Sequence, residues 1–361
     1  MDGSCKNGHV AMLFKKKSHL IGLDIGSRAI KVADVEIRKN SYALRKFGIT
    51  DISPGLIEEG SIRNPEEVAD AIRQLLKDNR IKESNVATSI GGYSTIVKNI
   101  TVQKMEEDQL QETIQFEAEQ YIPFDINDVN LDFQILGENE SNPNQMNVLL
   151  VAAKKEMVTD YLNLLQMADL TPVIMDVDAF AIQNVYEINN VPGDENVCLI
   201  DIGANKTNLN ILKGLNSVFI RDVSLGCHQI NEKIASLNNC SLEEAEPMYQ
   251  TEEPDKLPDK NVVEAVSTVV TGWCTEIRRA LDFFSSQYPD DPIRKIVLSG
   301  GGANIKRFRK ELSVETAADV EIINPFDAFS VDGGIDPGIL DRYAPQAAVC
   351  TGLAVRRIHD K

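Results

Sequence analysis

The sequence predicts an α/β protein built from two related domains with a cleft between them, and three observations carry that prediction. Ile-Gly-Leu-Asp-Ile-Gly at residues 21–26 recurs as Cys-Leu-Ile-Asp-Ile-Gly at 198–203, each time followed by a second strand-like run. A third glycine turn, Gly300-Gly301-Gly302, follows the apolar run Ile296-Val297-Leu298 and precedes a helical pattern. At 361 residues the chain exceeds one ordinary core and suits two, each able to bury most of its own apolar surface.

Apolar residues make up 43% and charged residues 25%, the balance of a soluble globular chain rather than a disordered or membrane-embedded one. The net charge of −18 excludes a general nucleic-acid binder, which neutralises phosphates with clustered Lys and Arg. No run approaches the roughly 18 apolar residues of a membrane span, and no signal-peptide core opens the chain, so a cytoplasmic location is expected. The cysteines are scattered without a C-x-x-C pair and read as reduced, mostly buried thiols. Cys5 and His9 make too few ligands for a metal site. Residues 1–18 are expected to form a disordered basic tail, with Met12 a second possible start. Lys15, Lys16 and Lys17 are either a solvated tail or a weak contact for an anionic membrane.

Along the chain, Leu20 to Asp24, Ala29 to Glu36 and Tyr42 to Ile49 read as three strands. Asn64-Pro65-Glu66-Glu67 starts a helix whose Val68, Ala71, Ile72, Leu75 and Leu76 recur at helical spacing. From Val86 a strand, the Gly91-Gly92 turn, a strand from Ile96 to Val102 and an acidic helix follow. Alternating Val129, Leu131, Phe133 and Ile135 and the run Met146 to Ala153 then complete a compact α+β insertion over 86–150. A helix at 155–168, a strand at Val173 to Val177 and a helix at Phe180 to Ile188 lead to the Pro192-Gly193-Asp194 crossover. Strands at Val197 to Asp201, Lys206 to Leu212 and Val218 to Val223 repeat the opening order. Charged, proline-containing residues Glu252 to Lys260 predict a surface loop, and a helix over about 261–287 buries Trp273 and its neighbours. A strand at Lys295 to Leu298, a helix from Ile305 and a last helix near Gln346 to Arg357 close the chain.

The two Asp-Ile-Gly turns carry the chemistry. A tight hairpin tip presents backbone N–H groups to an anion, and the strand-end carboxylate suits Mg²⁺ held through water, because Mg²⁺ gives up its hydration shell reluctantly. One such turn is common; a pair at the head of matching strand patterns suits a clamp on a polyphosphate. The glycines at 300–302 let backbone approach a flat ring or a phosphate near a helix N-terminus. Ile305 stands where a dinucleotide fingerprint needs glycine, and the chain lacks a G-x-x-x-x-G-K-[ST] loop.

In this order the turns and helices resemble the actin, sugar kinase and heat-shock chaperone superfamily over nearly the whole chain. Within it, the PilM family of type IV pilus assembly is the best resemblance. The residues that carry it are Leu13-Phe14-Lys15-Lys16-Lys17, the run from Glu117 to Ile126 (Glu-Ala-Glu-Gln-Tyr-Ile-Pro-Phe-Asp-Ile), Asp176-Val177-Asp178-Ala179-Phe180-Ala181, and the run from Glu276 to Phe284. The resemblance implies an actin-like α/β fold of duplicated ribonuclease H-like domains, with a first domain at 19–190 that includes the 86–150 insertion. It also implies a second domain at 191–340 with a helical part at 226–290, and a closing helix at 341–361 returning to the first domain.

It further implies ATP and Mg²⁺ as ligands, with Asp24 and Asp201 near the metal and Gly26, Ser27, Gly203, Ala204 and Asn205 at the phosphates. Gly300, Gly301, Gly302 and Asn304 would meet the adenosine, together with Glu232, Lys233, Glu276 and Arg279, for which a solvated helix face is the alternative. Asp178 falls where relatives carry the Glu or Gln that positions the attacking water, and its shorter side chain predicts slow or negligible hydrolysis. Relatives have a small residue in place of Arg28, which is either a phosphate donor or solvent-facing. The resemblance implies that the N-terminal cytoplasmic tail of the inner-membrane protein PilN docks in a groove between the inserted subdomain and the first domain, holding the chain at the cytoplasmic face of that membrane. Pilus motor ATPases, the platform protein and a second copy of the chain are further partners it suggests. A sugar-kinase-like phosphotransferase and an FtsA-like filament protein are the alternatives. The first lacks an evident polar sugar pocket, and the second lacks the amphipathic terminal anchor after Arg356-Arg357.

Overall fold

The computed structural model describes residues 19–357 except 40, 140, 192, 194, 251–258 and 290. The predicted tail at 1–18, Cys5 and His9, much of the Glu252–Lys260 loop, part of the 192–194 crossover and the last four residues lie outside the described residues. The first half runs β1 (Ile21–Ile25), β2 (Ala29–Arg38), β3 (Ser41–Asp51), the short pair β4 (Ile57–Glu58) and β5 (Ser61–Ile62), and α1 (Pro65–Asp78). It continues with β6 (Asn85–Ile90), β7 (Thr95–Gln103), α2 (Glu107–Ala118), β8 (Val129–Asn139), β9 (Asn142–Lys154), α3 (Lys155–Met167), β10 (Thr171–Val177) and α4 (Asp178–Asn189). The second half runs β11 (Asn196–Ile202), β12 (Thr207–Lys213), β13 (Asn216–Val223), α5 (His228–Asn238), α6 (Leu242–Gln250), α7 (Lys260–Gln287), β14 (Ile293–Ser299) and α8 (Lys306–Thr316). It ends with β15 (Asp319–Ile322), β16 (Phe329–Val331), α9 (Pro337–Tyr343) and α10 (Ala348–Ala354).

Two mixed sheets share one five-strand topology, to which the first adds β16 at an edge. The first is ordered β10-β6-β1-β2-β3-β16 and the second β13-β12-β11-β14-β15. In each, an antiparallel three-strand meander is followed by strands parallel to its first member, β6 and β10 in one half, β14 and β15 in the other. Asp24↔Lys31 and Asp201↔Asn208 are equivalent register pairs beside the two hairpin tips. The duplication seen in twelve-residue windows of sequence is therefore a duplication of whole sheets.

Local chemistry fixes the helices. The Asn64 side chain accepts the Glu67 amide at 3.2 Å, Pro65 supplies the fixed φ of the first turn, and Val68, Ile72 and Leu75 turn inward. Asp259 caps α7 by accepting the Asn261 amide at 2.8 Å. Along α7, Trp273 is buried edge-on against Phe308, and its indole N–H donates to Gln229 Oε1 at 2.7 Å. This helix is core for the second sheet.

The insertion begins later than the sequence suggests. The strand at Val86 pairs with β1 and β10 inside the large sheet, in the register Ile21↔Val86 and Asn85↔Thr171. Its run Val86–Ile90 is buried on both faces, as a central parallel strand must be. The separate three-stranded sheet β7-β9-β8 starts at Thr95, and α2 covers it through Leu110, Ile114 and Ala118. Near the end of the chain, β15, β16 and α9 add elements that the sequence pattern did not signal. The last helix is shorter than predicted, with a 3₁₀ turn over Ala344–Ala347 ahead of it.

A shared apolar core lies beneath both sheets, joining Ala33, Leu44, Ala181 and Val349 to Val197, Leu199, Leu212 and Val297. Helix α10 is wedged into it. A Cβ on Gly352 would lie 1.7 Å from Ala181 O, and one on Gly22 would lie 2.0 Å from Cys350 O. Glycine at both positions lets α10 touch α4 and β1 backbone to backbone. The five described cysteines are free thiols, and no helix among the described residues is long and apolar enough to cross a membrane.

Candidate functional site

The carboxyl ends of β1, β6, β11 and β14 open into one cavity of about 1070 Å³. Open α/β sheets place ligands in this position because the strand ends and following turns expose backbone dipoles there. Its walls include Asp24, Gly26, Ser27 and Arg28 from the first tip, Asp201, Gly203, Ala204 and Asn205 from the second, and Asp178 from the start of α4. Gly300, Gly301 and Asn304 line it from the third turn.

The two tips are built alike. The Gly26 amide donates to Ala29 O at 3.2 Å, and the Gly203 amide to Lys206 O at 2.9 Å. Helix α5 starts against the second tip, where the Cys227 and His228 amides donate to Gly203 O and Ala204 O. The third turn is held equally tightly. Gly300 has φ +82°, and a Cβ there would lie 2.4 Å from Ile202 O and 2.9 Å from Asp201 Oδ1.

Three carboxylates and two ammonium groups meet on the cavity floor. Lys31 Nζ donates to Asp24 Oδ2 at 3.0 Å, both side chains being largely buried. Burial pushes the Asp24 carboxyl above the usual carboxylate range, although Lys31 opposes the shift. Asp201 accepts a hydrogen bond from Ser299 Oγ at 2.8 Å. Burial raises its pKa to about 6 against that bond, and the charges of Asp24 and Asp178 add to the rise. Asp178 goes the other way. Burial alone would raise its carboxyl, but Lys206 at 2.6 Å and Ser89 at 2.6 Å outweigh burial and hold it below the usual range.

Among the described residues, no group of three or more His, Cys, Asp or Glu side chains converges on a common metal position. Asp24 and Asp201 instead each offer one carboxylate to the same cavity. That donor set fits Mg²⁺ keeping most of its water and sharing phosphate oxygens, not a metal caged by protein.

The halves also meet directly around the cavity. Arg28 donates through Nε to Glu246 Oε2 at 2.9 Å and through Nη1 to Ile52 O at 2.7 Å, so it is neither free in solvent nor turned wholly to the cavity. The Gly92 amide donates to Asp222 Oδ2 at 3.0 Å, and Tyr93 Oη is hydrogen-bonded to Ser224 Oγ.

Not every sequence-predicted residue reaches the cavity. Glu276 and Arg279 pair with each other on an exposed face of α7, and Glu232 pairs with His228 at 3.5 Å on α5. Neither these nor Lys233 forms part of the wall. The helical period explains it: Ile277, Ala280, Ile230 and Ile234 take the inward positions of those turns. Gly302 is buried as a packing residue, since a Cβ there would lie 2.4 Å from Ile202 Cγ2. Conversely, Lys31, Ser89, Lys206, Asp222 and Glu246 line the cavity and were not singled out from sequence. For Lys31 a signal existed, a lysine inside the apolar run Ala29-Ile30-Lys31-Val32-Ala33.

Comparison with known proteins agrees with this architecture. A structure described as the PilM-PilN type IV pilus biogenesis complex superposes with a TM-score of 0.84 and 30% identity, covering 95% of this chain and 100% of that one. The ethanolamine utilization protein EutJ from Carboxydothermus hydrogenoformans matches with a TM-score of 0.59 at 13% identity, over 93% of this chain and 89% of that one. MreB5 of Spiroplasma citri, solved bound to ADP, gives 0.51 at 13% identity, over 92% and 94%. The latter two establish the actin-like fold alone. The family model described as type IV pilus assembly protein PilM matches residues 22–358. Sharing that family's sequence pattern from the first strand to beyond the last helix, and its fold along almost all of its length, the chain belongs to the PilM family of type IV pilus assembly proteins.

Proposed function

We propose that this chain is an ATP-binding scaffold of type IV pilus assembly that docks the N-terminal cytoplasmic segment of PilN beside its inserted subdomain. The observation that carries the nucleotide part is the meeting of Asp24, Asp201 and their equivalent glycine tips in one cavity, with the Gly300 turn on the same wall. In this reading Ser27, Arg28, Ala204 and Asn205 surround the phosphates, Gly300, Gly301 and Asn304 take the adenosine side, and Lys31 supplies positive charge. Asp24 and Asp201 would hold Mg²⁺, and the ion would supply charge neutralisation to the triphosphate. In this reading Asp178, which lines the same cavity, is the group that would orient a water attacking the last phosphate.

The partner reading is supported by the likeness to a chain solved in a PilM-PilN complex. Docking on PilN would hold the chain at the cytoplasmic face of the inner membrane, where pilus motor ATPases and the platform protein are further partners. A nucleotide controls such docking only as far as it prefers one arrangement of the halves over another. The shared core and the Arg28–Glu246 and Gly92–Asp222 contacts give the halves a route for that coupling.

The test is calorimetric titration of Mg-ATP into the wild-type chain and the Asp24→Ala and Asp201→Ala variants, then of a PilN tail peptide with and without Mg-ATP. Nucleotide retained normally by both variants would remove the site assignment. Equal peptide affinity with and without Mg-ATP would remove nucleotide control.

A further inference from the structure

Asp178 faces the cavity with both oxygens engaged. Ser89 Oγ donates to Oδ1 and Lys206 Nζ to Oδ2, each at 2.6 Å. Lys206 comes from the β11–β12 tip of the other half, so this ion pair crosses the floor of the cleft. It is also confined. A Cβ on Gly91 would lie 2.5 Å from Asp178 Oδ2 and 2.6 Å from Lys206 Nζ, so the pair packs directly beneath that backbone. The Asp178 side chain is only 17% exposed, while that of Lys206 is 38% exposed, so water reaches the pair from the lysine side.

A carboxylate in this grip is a poor base. Hydrolysis of a nucleoside triphosphate joins a water oxygen to the terminal phosphorus, breaks the bond from that phosphorus to the bridging oxygen, and leaves a diphosphate and inorganic phosphate. The water's proton has to pass to a nearby acceptor, whose efficiency is best when its pKa lies near the working pH. An ammonium at hydrogen-bond distance lowers the basicity of Asp178 and occupies one of its two oxygens, Ser89 occupying the other.

We propose that Lys206 is a restraining residue: by holding Asp178 across the cleft it keeps this carboxylate from accepting the water's proton, so a bound nucleoside triphosphate is held and not turned over. This rests on the nucleotide reading of the cleft and adds to it a reason for retention. Lys206 acts through Asp178 and is a positioning residue.

The experiment uses the full chain and three variants, Lys206→Met, Lys206→Gln and the double variant Asp178→Asn with Lys206→Met. Two readouts are taken: phosphate release from pre-bound Mg-ATP, and the carboxyl ¹³C titration of Asp178 without nucleotide. Lys206→Met and Lys206→Gln are expected to release phosphate roughly tenfold faster or more than wild type, the double variant losing that gain. The Asp178 titration is expected to move up by about one unit or more when the ammonium is removed. A Lys206→Met or Lys206→Gln chain that keeps ATP and hydrolyses it no faster overturns the proposal. So does one that no longer retains ATP, since Lys206 then serves binding. Failure of the wild-type chain to bind ATP would instead remove the nucleotide reading, and the ¹³C titration would still decide whether Lys206 holds Asp178.

Discussion

Arg28 and Glu246 bridge the cleft at 2.9 Å although they stand 218 positions apart in the chain. Arg28 projects from the first hairpin tip, and Ile52 O fixes its guanidinium from behind at 2.7 Å. Glu246 projects from α6 of the other half, with its side chain only 19% exposed. Both line the cavity, so a ligand between the tip and α6 is enclosed by their contact. Arg28→Ala is expected to release a fluorescent ATP analogue about three- to tenfold faster in stopped flow, the range of a partly buried ion pair worth about 1 kcal/mol. The charge swap Arg28→Glu with Glu246→Arg is expected to recover part of the loss. Rates that stay at the wild-type value in Arg28→Ala would show that the pair does not gate release.

Asp201 gives the nucleotide-free protein a pH-dependent cost. Its pKa rises from an ordinary 3.8 to about 6, chiefly through burial, so the folded chain binds this proton more tightly than the unfolded one. Stability from this group is therefore greatest below the unfolded value and is lost as pH rises towards 6. Asp201→Asn removes the charge altogether. In denaturant titrations without metal or nucleotide it is expected to be more stable than wild type by about 1–3 kcal/mol at pH 7.5, the gain shrinking as pH falls through 6. An advantage independent of pH would mean that the carboxyl is not desolvated.

The duplicated frame was legible because each copy keeps an apolar strand, a carboxylate and a glycine within a few residues. Asp24 and Asp201 stand out in sequence because of it, and the Gly300 turn stands out by its own run of glycines. The cations of the cleft were not legible in the same way, because Lys206 and Asp178 come from opposite halves and only tertiary structure brings them together. For Glu276 and Arg279 the sequence left a ligand pocket and a solvated helix face open, since a charged pair at helical spacing looks the same whether it faces a ligand or water, and the two pair with each other away from the cavity wall. Strand β16 is three residues long, too short for an alternation to register, and owes its place to Phe329 packing against Tyr42 at 5.3 Å.

Gly300 and Gly272 make a controlled pair. At Gly300 an added methyl group meets backbone at 2.4 Å in the left-handed region, whereas at Gly272, inside α7, it meets nothing within 4 Å. Gly300→Ala is expected to lower the unfolding free energy by roughly 2–4 kcal/mol, read from the denaturant midpoint, and to weaken nucleotide binding, because the turn must move away from Ile202. Gly272→Ala is expected to stabilise by about 0.5–1 kcal/mol without touching the cleft. Similar midpoints for the two variants would mean that the third turn is not tightly held.

Asp222 ties the turn after β6 to the second sheet. It accepts the Gly92 amide at 3.0 Å and the Asn208 side-chain amide at 2.9 Å, while Asn99 of β7 donates to Ser217 O at 2.9 Å along the same edge. These bonds connect the inserted sheet to the half that carries Asp201, and they lie beside Lys206. Asp222→Ala leaves two donors without their acceptor, a loss of about 1–3 kcal/mol where water cannot replace it. Amide exchange at Gly92 and at Thr95 to Asn99 is expected to quicken in this variant, with β1 and β11 protected as in wild type. If the inserted sheet conveys the state of the cleft to a docked peptide, the same substitution should also shrink the difference in peptide affinity between nucleotide-loaded and nucleotide-free protein. Unchanged exchange at Gly92 would mean that Asp222 does not hold the turn after β6.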